Sequence, residues 1–160
     1  MKYLLDSNTF ITAKNGFYAF DRVPNFWVWL SKCGNEGILC ACSKIRKELL
    51  NGEGDNLKNW AKANGSFFVT EDVSTAKSIT LIAEWVQNNG QFSDAAKQEF
   101  FRGEDLTLIA HAHAHNMNIV TFEKDAPMAK SKIHIPNVGN HFGVRSIDLF
   151  QLLDELRPTF

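Results

Sequence analysis

The sequence has few cysteines, no long hydrophobic run and no surplus of positive charge. Its three cysteines, Cys33, Cys40 and Cys42, are odd in number and the last two have Cys-x-Cys spacing in an apolar run, which predicts reduced core thiols and argues against a disulfide framework. No stretch approaches the length needed to span a bilayer. Asp6 interrupts the N-terminal apolar run too early for a signal peptide. We therefore expect a cytoplasmic protein that has no membrane partner.

The balance of charge and the absence of two motifs exclude further classes. The formal net charge is -1, so a nucleic-acid substrate would require a local basic patch rather than a global field. No Gly-x-Gly-x-x-Gly follows the first apolar run, which excludes the dinucleotide-binding fingerprint. Asn8 stands two residues after Asp6, where a haloacid-dehalogenase-like phosphatase requires a second aspartate. The chain therefore lacks the signatures of these two common α/β enzyme classes.

The residues that are abundant predict one α/β domain with a ring-rich core. A chain of 160 residues suits a single domain, here residues 1–160, and 13 Phe and 4 Trp contribute to its 44% hydrophobic content. Short apolar strands alternate with helical segments, which predicts a mostly parallel sheet with helices on both faces. We expect a three-layer α/β/α fold with four to five strands, at residues 2–5, 38–41, 67–70, 118–121 and 133–135.

Serine and asparagine residues mark the predicted starts of three helices. Ser7 or Asn8 is predicted to cap the helix that follows the first strand, and Ser43 the helix that follows the second. Ser146 is predicted to cap the C-terminal helix.

Four acidic residues lie near the ends of predicted strands and helices: Asp6, Glu48, Asp105 and Glu123. Ligands of open α/β folds bind outside the carboxyl ends of the parallel strands, so we expect these side chains in one crevice. Two carboxylates 4 Å apart repel by about 1 kcal/mol in water and about 4 kcal/mol at an effective dielectric of 20. A divalent cation would neutralise them, and the set therefore points towards hydrolytic metal chemistry.

Each acid also has an ordinary structural explanation when it is considered singly. Asp6 and Asp105 could act at helix N-termini, where a negative charge is favourable. Glu48 could be a solvated helix residue, and Glu123 a loop acid. Two choices stay open, because Glu104 competes with Asp105 and Asp125 competes with Glu123.

The order of the four acids resembles that of the PIN-domain ribonucleases, including VapC-like toxins, over nearly the whole chain. The matching features are the segment Asp6-Ser7-Asn8, Glu48 in a helix, Asp105 with Leu108-Ile109-Ala110, and Val120-Thr121-Phe122-Glu123. The chain looks closest to a prokaryotic subfamily known as a domain of unknown function, on the segments Pro24-x-Phe26-Trp27-x-Trp29-Leu30 and Ile135-Pro136-x-Val138. The fourth acid is usually Asp in the wider family and is Glu123 here.

The resemblance implies a PIN-like fold and a metal-dependent endoribonuclease. Asp6, Glu48, Asp105 and Glu123 would bind Mg²⁺ or Mn²⁺ and carry the hydrolysis of phosphodiester bonds in RNA. Asn8 and Thr121 would support these carboxylates by hydrogen bonds. The resemblance also implies the toxin of a toxin–antitoxin pair, with a small antitoxin protein and a second copy of the chain as partners. The alternative is a catalytically inert PIN-like scaffold that acts as a binding or regulatory protein.

Other residues near the four acids have weaker predicted roles. Phosphate contacts are predicted from the cations at positions 44, 46, 47, 124, 130 and 132. His111 and His115 would share one helix face and His113 the opposite face, which makes zinc binding by all three geometrically poor and favours a surface or partner-facing role. The aromatic segment 17–29 is a candidate partner surface, with burial in the core as the alternative.

Overall fold

The computed structural model describes residues 1–160 and has a five-stranded parallel sheet at its centre. The strands are β1 (Tyr3–Leu5), β2 (Leu39–Cys42), β3 (Phe68–Val69), β4 (Asn118–Val120) and β5 (Ser146–Ile147). Their order in the sheet is β3-β2-β1-β4-β5, and each neighbouring pair is parallel. All three residues of β1 are buried, as expected of a strand covered on both faces.

Nine α-helices cover the sheet. They are α1 (Ser7–Asn15), α2 (Pro24–Asn35), α3 (Ser43–Asn51), α4 (Asn56–Ala63), α5 (Val73–Asn88), α6 (Asp94–Arg102), α7 (Asp105–Ala114), α8 (Ile135–His141) and α9 (Leu149–Leu156), with a short 3₁₀ turn at Gly65–Phe67. Helix α3 contacts α1 and α4, whereas α7 contacts α5, α6 and α8. These two groups lie on opposite faces, because parallel crossovers are right-handed and the chain moves outward from β1 to β3 and then back across to β4 and β5. The predicted three-layer α/β/α fold with a parallel sheet is confirmed.

The order in which strands are added to the sheet reverses between β1 and β4, which are parallel neighbours although more than a hundred residues separate them. Leu4 pairs with Ile119, and Leu5 with Val120. Such a reversal leaves a crevice at the carboxyl ends of the two strands, which is where open α/β sheets bind ligands. The residues that follow β1 and β4 therefore meet at the entrance of this crevice.

Aromatic rings fill the core on the side of α1 to α4. Phe10 contacts Trp60 and Phe67 at ring-centroid distances of 5.7 and 6.0 Å, and Trp27 contacts Trp60 at 5.6 Å. Phe26 and Trp27 are buried, so most of the aromatic segment that was a candidate partner surface belongs to the core. The cysteines are free thiols, as predicted, and Cys33 and Cys42 are buried.

Three sequence predictions about element ends are wrong. The fifth strand is Ser146–Ile147 rather than residues 133–135, because Pro136 favours a helix start and Ile135 opens α8 instead. Asp148, not Ser146, caps α9: its side chain accepts from the backbone N–H of Gln151 in a capping box. Helix α3 begins at Ser43 itself and has no side-chain cap.

Candidate active site

Asp6 lies directly after β1, at the carboxyl edge of the sheet, and is only 7% exposed. It occupies the N-cap position of α1, but neither its side chain nor those of Ser7 and Asn8 caps the helix, so the predicted cap is wrong. The Asp6 carboxylate instead accepts a hydrogen bond from Thr121 Oγ1 at 2.9 Å. Burial raises the pKa of Asp6, and the nearby negative charge of Glu123 adds to this increase, against the lowering effect of its hydrogen bonds.

Asn8 and Thr121 form a hydrogen-bonded network around Asp6. Asn8 Nδ2 donates to Thr121 Oγ1 at 3.2 Å, and Asn8 Oδ1 accepts from the backbone N–H of Phe122 at 3.2 Å. Thr121 Oγ1 also accepts from the backbone N–H of Glu123 at 3.1 Å. The network joins the ends of β1 and β4 and holds the Thr121 hydroxyl so that it donates to Asp6.

Asp105 is the first residue of α7 and has the most strongly perturbed carboxyl group of the crevice. Burial raises its pKa to about 7, with further increases from the charges of Glu123, Asp6 and Glu48 and an opposing effect from Lys132. These causes place three other predicted site residues within electrostatic reach of Asp105. Perturbation of this size by burial and specific partners is typical of functional sites.

Glu48 is exposed as a residue on α3, yet its carboxyl group responds to the same cluster. Loss of water around the carboxylate is the main cause of its raised pKa, and the charges of Glu104 and Asp6 add to it. A hydrogen bond with Ser7 opposes this increase. The tip of Glu48 therefore lies towards the crevice although the rest of the side chain faces water.

Glu104, which the sequence offered only as a competitor of Asp105, also belongs to the cluster. Its Oε2 atom is buried and has no hydrogen-bond partner. It stands at the N-cap position of α7 without making a side-chain cap. A buried carboxylate oxygen without a partner is costly, since its desolvation is not compensated. Glu104 and Asp105 thus both approach the crevice, Glu104 from the side of Glu48.

Glu123 is held in place by two donors. Lys132 Nζ donates to Oε1 at 3.0 Å, and the backbone N–H of Ile135 donates to Oε2 at 2.7 Å. Ile135 begins α8, and a carboxylate is favourable at a helix N-terminus. Asp125, the alternative to Glu123, is exposed, whereas Glu123 raises the pKa of two crevice carboxyls.

The donor set suits a hard divalent cation, although the side chains do not form a finished coordination shell. No three His, Cys, Asp or Glu side chains lie close enough together to hold a metal ion. Carboxylate oxygens are nevertheless the ligands that Mg²⁺ prefers, and this ion keeps several of its waters. A cation would relieve both the unpartnered Glu104 Oε2 and the mutual repulsion at Asp105. The residues therefore fit such an ion in chemistry, whereas their present spacing does not complete a coordination shell.

Of the six cations that were predicted to contact phosphate, four hydrogen-bond to other residues of the chain and two are exposed. Lys44 donates to Thr107 at 3.1 Å, Lys124 pairs with Asp148, and Lys132 with Glu123. Arg46 donates to the Ala61 carbonyl and so links α3 to α4. Lys47 and Lys130 are exposed.

His111 and His113 of α7, and His115 at its C-cap, all bond to α5 or its N-cap. His111 and His115 share one helix face as predicted, with ring centroids 4.4 Å apart, and His115 is exposed. The predicted surface role is wrong for buried His111, and the predicted opposite face is wrong for His113. His111 is buried and shares a hydrogen bond with Thr75 at 2.9 Å. His113 bonds to Ser78 at 2.8 Å, and His115 to Asp72 at 2.9 Å. The lengthwise packing of α5 on α7 explains this arrangement, because it offers a partner at successive turns.

The sequence analysis missed two features of the site. One is the clamp on Glu123, formed by the donors Lys132 and the backbone N–H of Ile135, and the other is the burial of Glu104 Oε2. Pro136 was a usable signal for the clamp, because it marks a helix start whose first N–H groups lack partners. The burial of Glu104 has no comparable local signal.

No helix combines the length and apolar character that crossing a membrane requires.

Comparison with known proteins places the chain in a family. No curated protein matches the sequence. One similar solved structure is the crystal structure of VapBC2 from Rickettsia felis bound to a DNA fragment from the VapBC2 promoter. A chain of that structure is 15% identical to this chain, and the TM-score is 0.48. The similarity covers 92% of this chain and 98% of that chain. The family described as a domain of unknown function, DUF4411, matches residues 3–160, and the chain therefore belongs to that family.

Proposed function

We propose that this protein is a metal-dependent endoribonuclease that hydrolyses phosphodiester bonds in RNA. The observation that carries the proposal is the carboxylate cluster at the carboxyl ends of the neighbouring strands β1 and β4. In this cluster, burial and the charges of Glu123, Asp6 and Glu48 raise the pKa of Asp105 to about 7. The order of these acids in the sequence, which resembles that of the PIN-domain ribonucleases, supports the same function.

The residues that would hold Mg²⁺ or Mn²⁺ are Asp6, Glu48, Asp105 and Glu123, with Glu104 as a fifth carboxylate in reach of Glu48. When bound, such an ion supplies an activated water and neutralises charge on the scissile phosphate.

The chain itself orients the carboxylates of this site. Thr121 donates to one oxygen of Asp6, and Asn8 fixes the Thr121 hydroxyl in that position. Lys132 compensates the charge of Glu123 at the crevice edge. Without a cation, the Asp105 carboxyl group retains its proton up to about pH 7.

We further propose that the enzyme is the toxin of a toxin–antitoxin pair, with a small antitoxin protein and a homodimer as its assemblies. This proposal rests on the resemblance to VapC-like PIN-domain proteins. Its test is to express the chain alone and together with any short open reading frame adjacent to its gene. Growth arrest that the neighbour relieves supports the toxin role, whereas harmless expression of an active nuclease contradicts it.

A second candidate, the inert scaffold, is favoured by two observations. No three acidic side chains lie within coordinating distance, and both oxygens of Glu123 already have donors. A protein of this kind would bind partners without metal affinity. Titration of the metal-free protein with Mn²⁺ separates the two candidates, because saturable binding that depends on Asp6 and Asp105 contradicts the scaffold.

The decisive assay measures RNA cleavage by purified protein in Mg²⁺, Mn²⁺ or chelator. We expect cleavage with either ion and none in chelator, and Asp6→Asn and Asp105→Asn should each abolish it because they remove a negatively charged ligand. Asp125→Asn is the control, since this exposed aspartate follows β4, two residues after Glu123, but lies outside the cluster. Cleavage that persists in both cluster variants would contradict the site.

A further inference from the structure

Three phenylalanine rings form a row that begins at the crevice, which we name the aromatic row. The ring centroids of Phe17 and Phe150 are 6.3 Å apart, and those of Phe150 and Phe122 are 6.2 Å apart. Phe122 directly precedes Glu123, and its backbone N–H donates to Asn8 Oδ1. One end of the row is therefore fixed to the network that positions the crevice carboxylates.

Phe17 and Phe150, the outer two rings of the row, are exposed and do not pack into the hydrophobic core. Phe17 is 76% exposed and Phe150 is 47% exposed. Phe160 is similarly exposed, but its ring packs on Tyr18 and Trp29 beside the core. Phe17 and Phe150 instead contact each other, edge to face, and leave ring surface open to solvent. Contiguous exposed apolar surface of this kind marks an interaction site.

Cations stand at both ends of the aromatic row. Arg22 donates to the carbonyl of Gly16, the residue before Phe17, at 3.2 Å. Lys124, two residues after Phe122, is exposed; its ammonium group pairs with Asp148 at 3.1 Å and has two further N–H donors for a phosphate. Exposed aromatic rings with cations beside them are the arrangement by which proteins bind single-stranded nucleic acid, since bases stack on the rings and the cations contact phosphates.

The exposed ring surface favours an unpaired strand. Neighbouring rings meet edge to face, at interplanar angles of 72° and 70°, so their faces do not form one parallel stack. A base that stacks on one of these faces must therefore be unstacked from its neighbours. A base-paired helix does not allow this, but a single-stranded segment does.

We propose that the aromatic row of Phe17, Phe150 and Phe122 seats unpaired bases of a single-stranded RNA and leads its backbone into the carboxylate crevice. The inference rests on the proposed nuclease function and assigns a substrate-binding surface to it. A protein partner or a second copy of the chain would also cover apolar rings, but it would not require cations beside them.

Binding of a fluorescently labelled, single-stranded oligoribonucleotide in chelator tests the row without cleavage. We expect Phe17→Ala and Phe150→Ala each to weaken the Kd about 5-fold to 100-fold, which is the range for loss of one base–aromatic stack. Phe17→Trp should retain wild-type affinity, because it keeps an aromatic face. Val28→Ala is the matched control: this residue is exposed on α2 and lies outside the row. An oligonucleotide with abasic positions should lose affinity for the wild type but not for the alanine variants.

Several outcomes would overturn the aromatic row. These are no binding by the wild type, alanine variants that bind within twofold of it, or equal affinity for the abasic strand. A change in sedimentation mass of the protein alone on Phe17→Ala would assign the row to an interface between copies.

Steady-state cleavage in Mg²⁺ separates the aromatic-row proposal from the nuclease proposal. Cleavage with an unchanged KM in Phe17→Ala refutes the row and leaves the nuclease, whereas row-dependent binding without wild-type cleavage supports the row and refutes the nuclease.

Discussion

Replacing Asp105 with asparagine should stabilise the metal-free protein at alkaline pH. The ordinary pKa of this carboxyl group is 3.8, and burial together with neighbouring carboxylates raises it to about 7 in the folded state. A raised pKa means that the folded protein binds the proton more tightly than the unfolded chain, so ionisation removes folding free energy as the pH rises from 3.8 towards 7. Asparagine is neutral at every pH and avoids this cost.

The size of the effect follows from the two pKa values. At about 1.4 kcal/mol per pH unit, Asp105 costs about 4 kcal/mol at pH 8, about 2 kcal/mol at pH 5 and less than about 1 kcal/mol at pH 4. For a chain of this length, each kcal/mol shifts the Tm by about 2–4 °C. We therefore expect Asp105→Asn to raise the Tm by about 8–16 °C at pH 8 in chelator, with a gain that shrinks towards zero near pH 4.

Thermal unfolding in chelator from pH 4 to pH 8 measures this gain, with exposed Asp125→Asn as a control that should change stability by less than about 0.5 kcal/mol. Saturating Mg²⁺ or Mn²⁺ should narrow the difference, because a ligand that binds only the folded state stabilises it by about 2.7 kcal/mol at 100 times its Kd. An Asp105→Asn variant that is no more stable than wild type at pH 8 would refute the cost of burying this carboxylate among other charges.

Two further substitutions test the packing around the site. Asn8→Ala should lower the free energy of unfolding by about 1–3 kcal/mol in urea denaturation, because Thr121 Oγ1 loses a donor and the N–H of Phe122 loses its acceptor. Gly34→Ala should cost about 1–3 kcal/mol in the same assay, because the new methyl group overlaps the buried ring of Phe67.

Both substitutions have matched controls. Asn59→Ala removes an asparagine that is exposed on α4 and should change stability by less than about 0.5 kcal/mol. Gly54→Ala adds a methyl group where no atom lies within 4 Å. An Asn8→Ala or Gly34→Ala variant as stable as its control would contradict the corresponding contact.

The parallel sheet and the general location of the acids were predictable because their signals are local. Apolar strands separated by helical segments predict parallel crossovers, and the carboxyl ends of such strands lie at one edge. Asp6 directly after β1 and Glu123 just after β4 follow from this rule alone. The last strand was not predictable in the same way: Ser146–Ile147 has only two residues and is defined by pairing with β4.

The sequence by itself determined the α/β class, the reduced state of the cysteines and the order of carboxylates along the chain, since each depends on residue type and short-range periodicity. Only the tertiary structure decided how those groups interact. It buried Glu104 Oε2 without a partner, held Glu123 between Lys132 and α8, and brought Phe17 against Phe150. These contacts join residues on different elements, and their energies depend on burial and on charges that no local sequence pattern records.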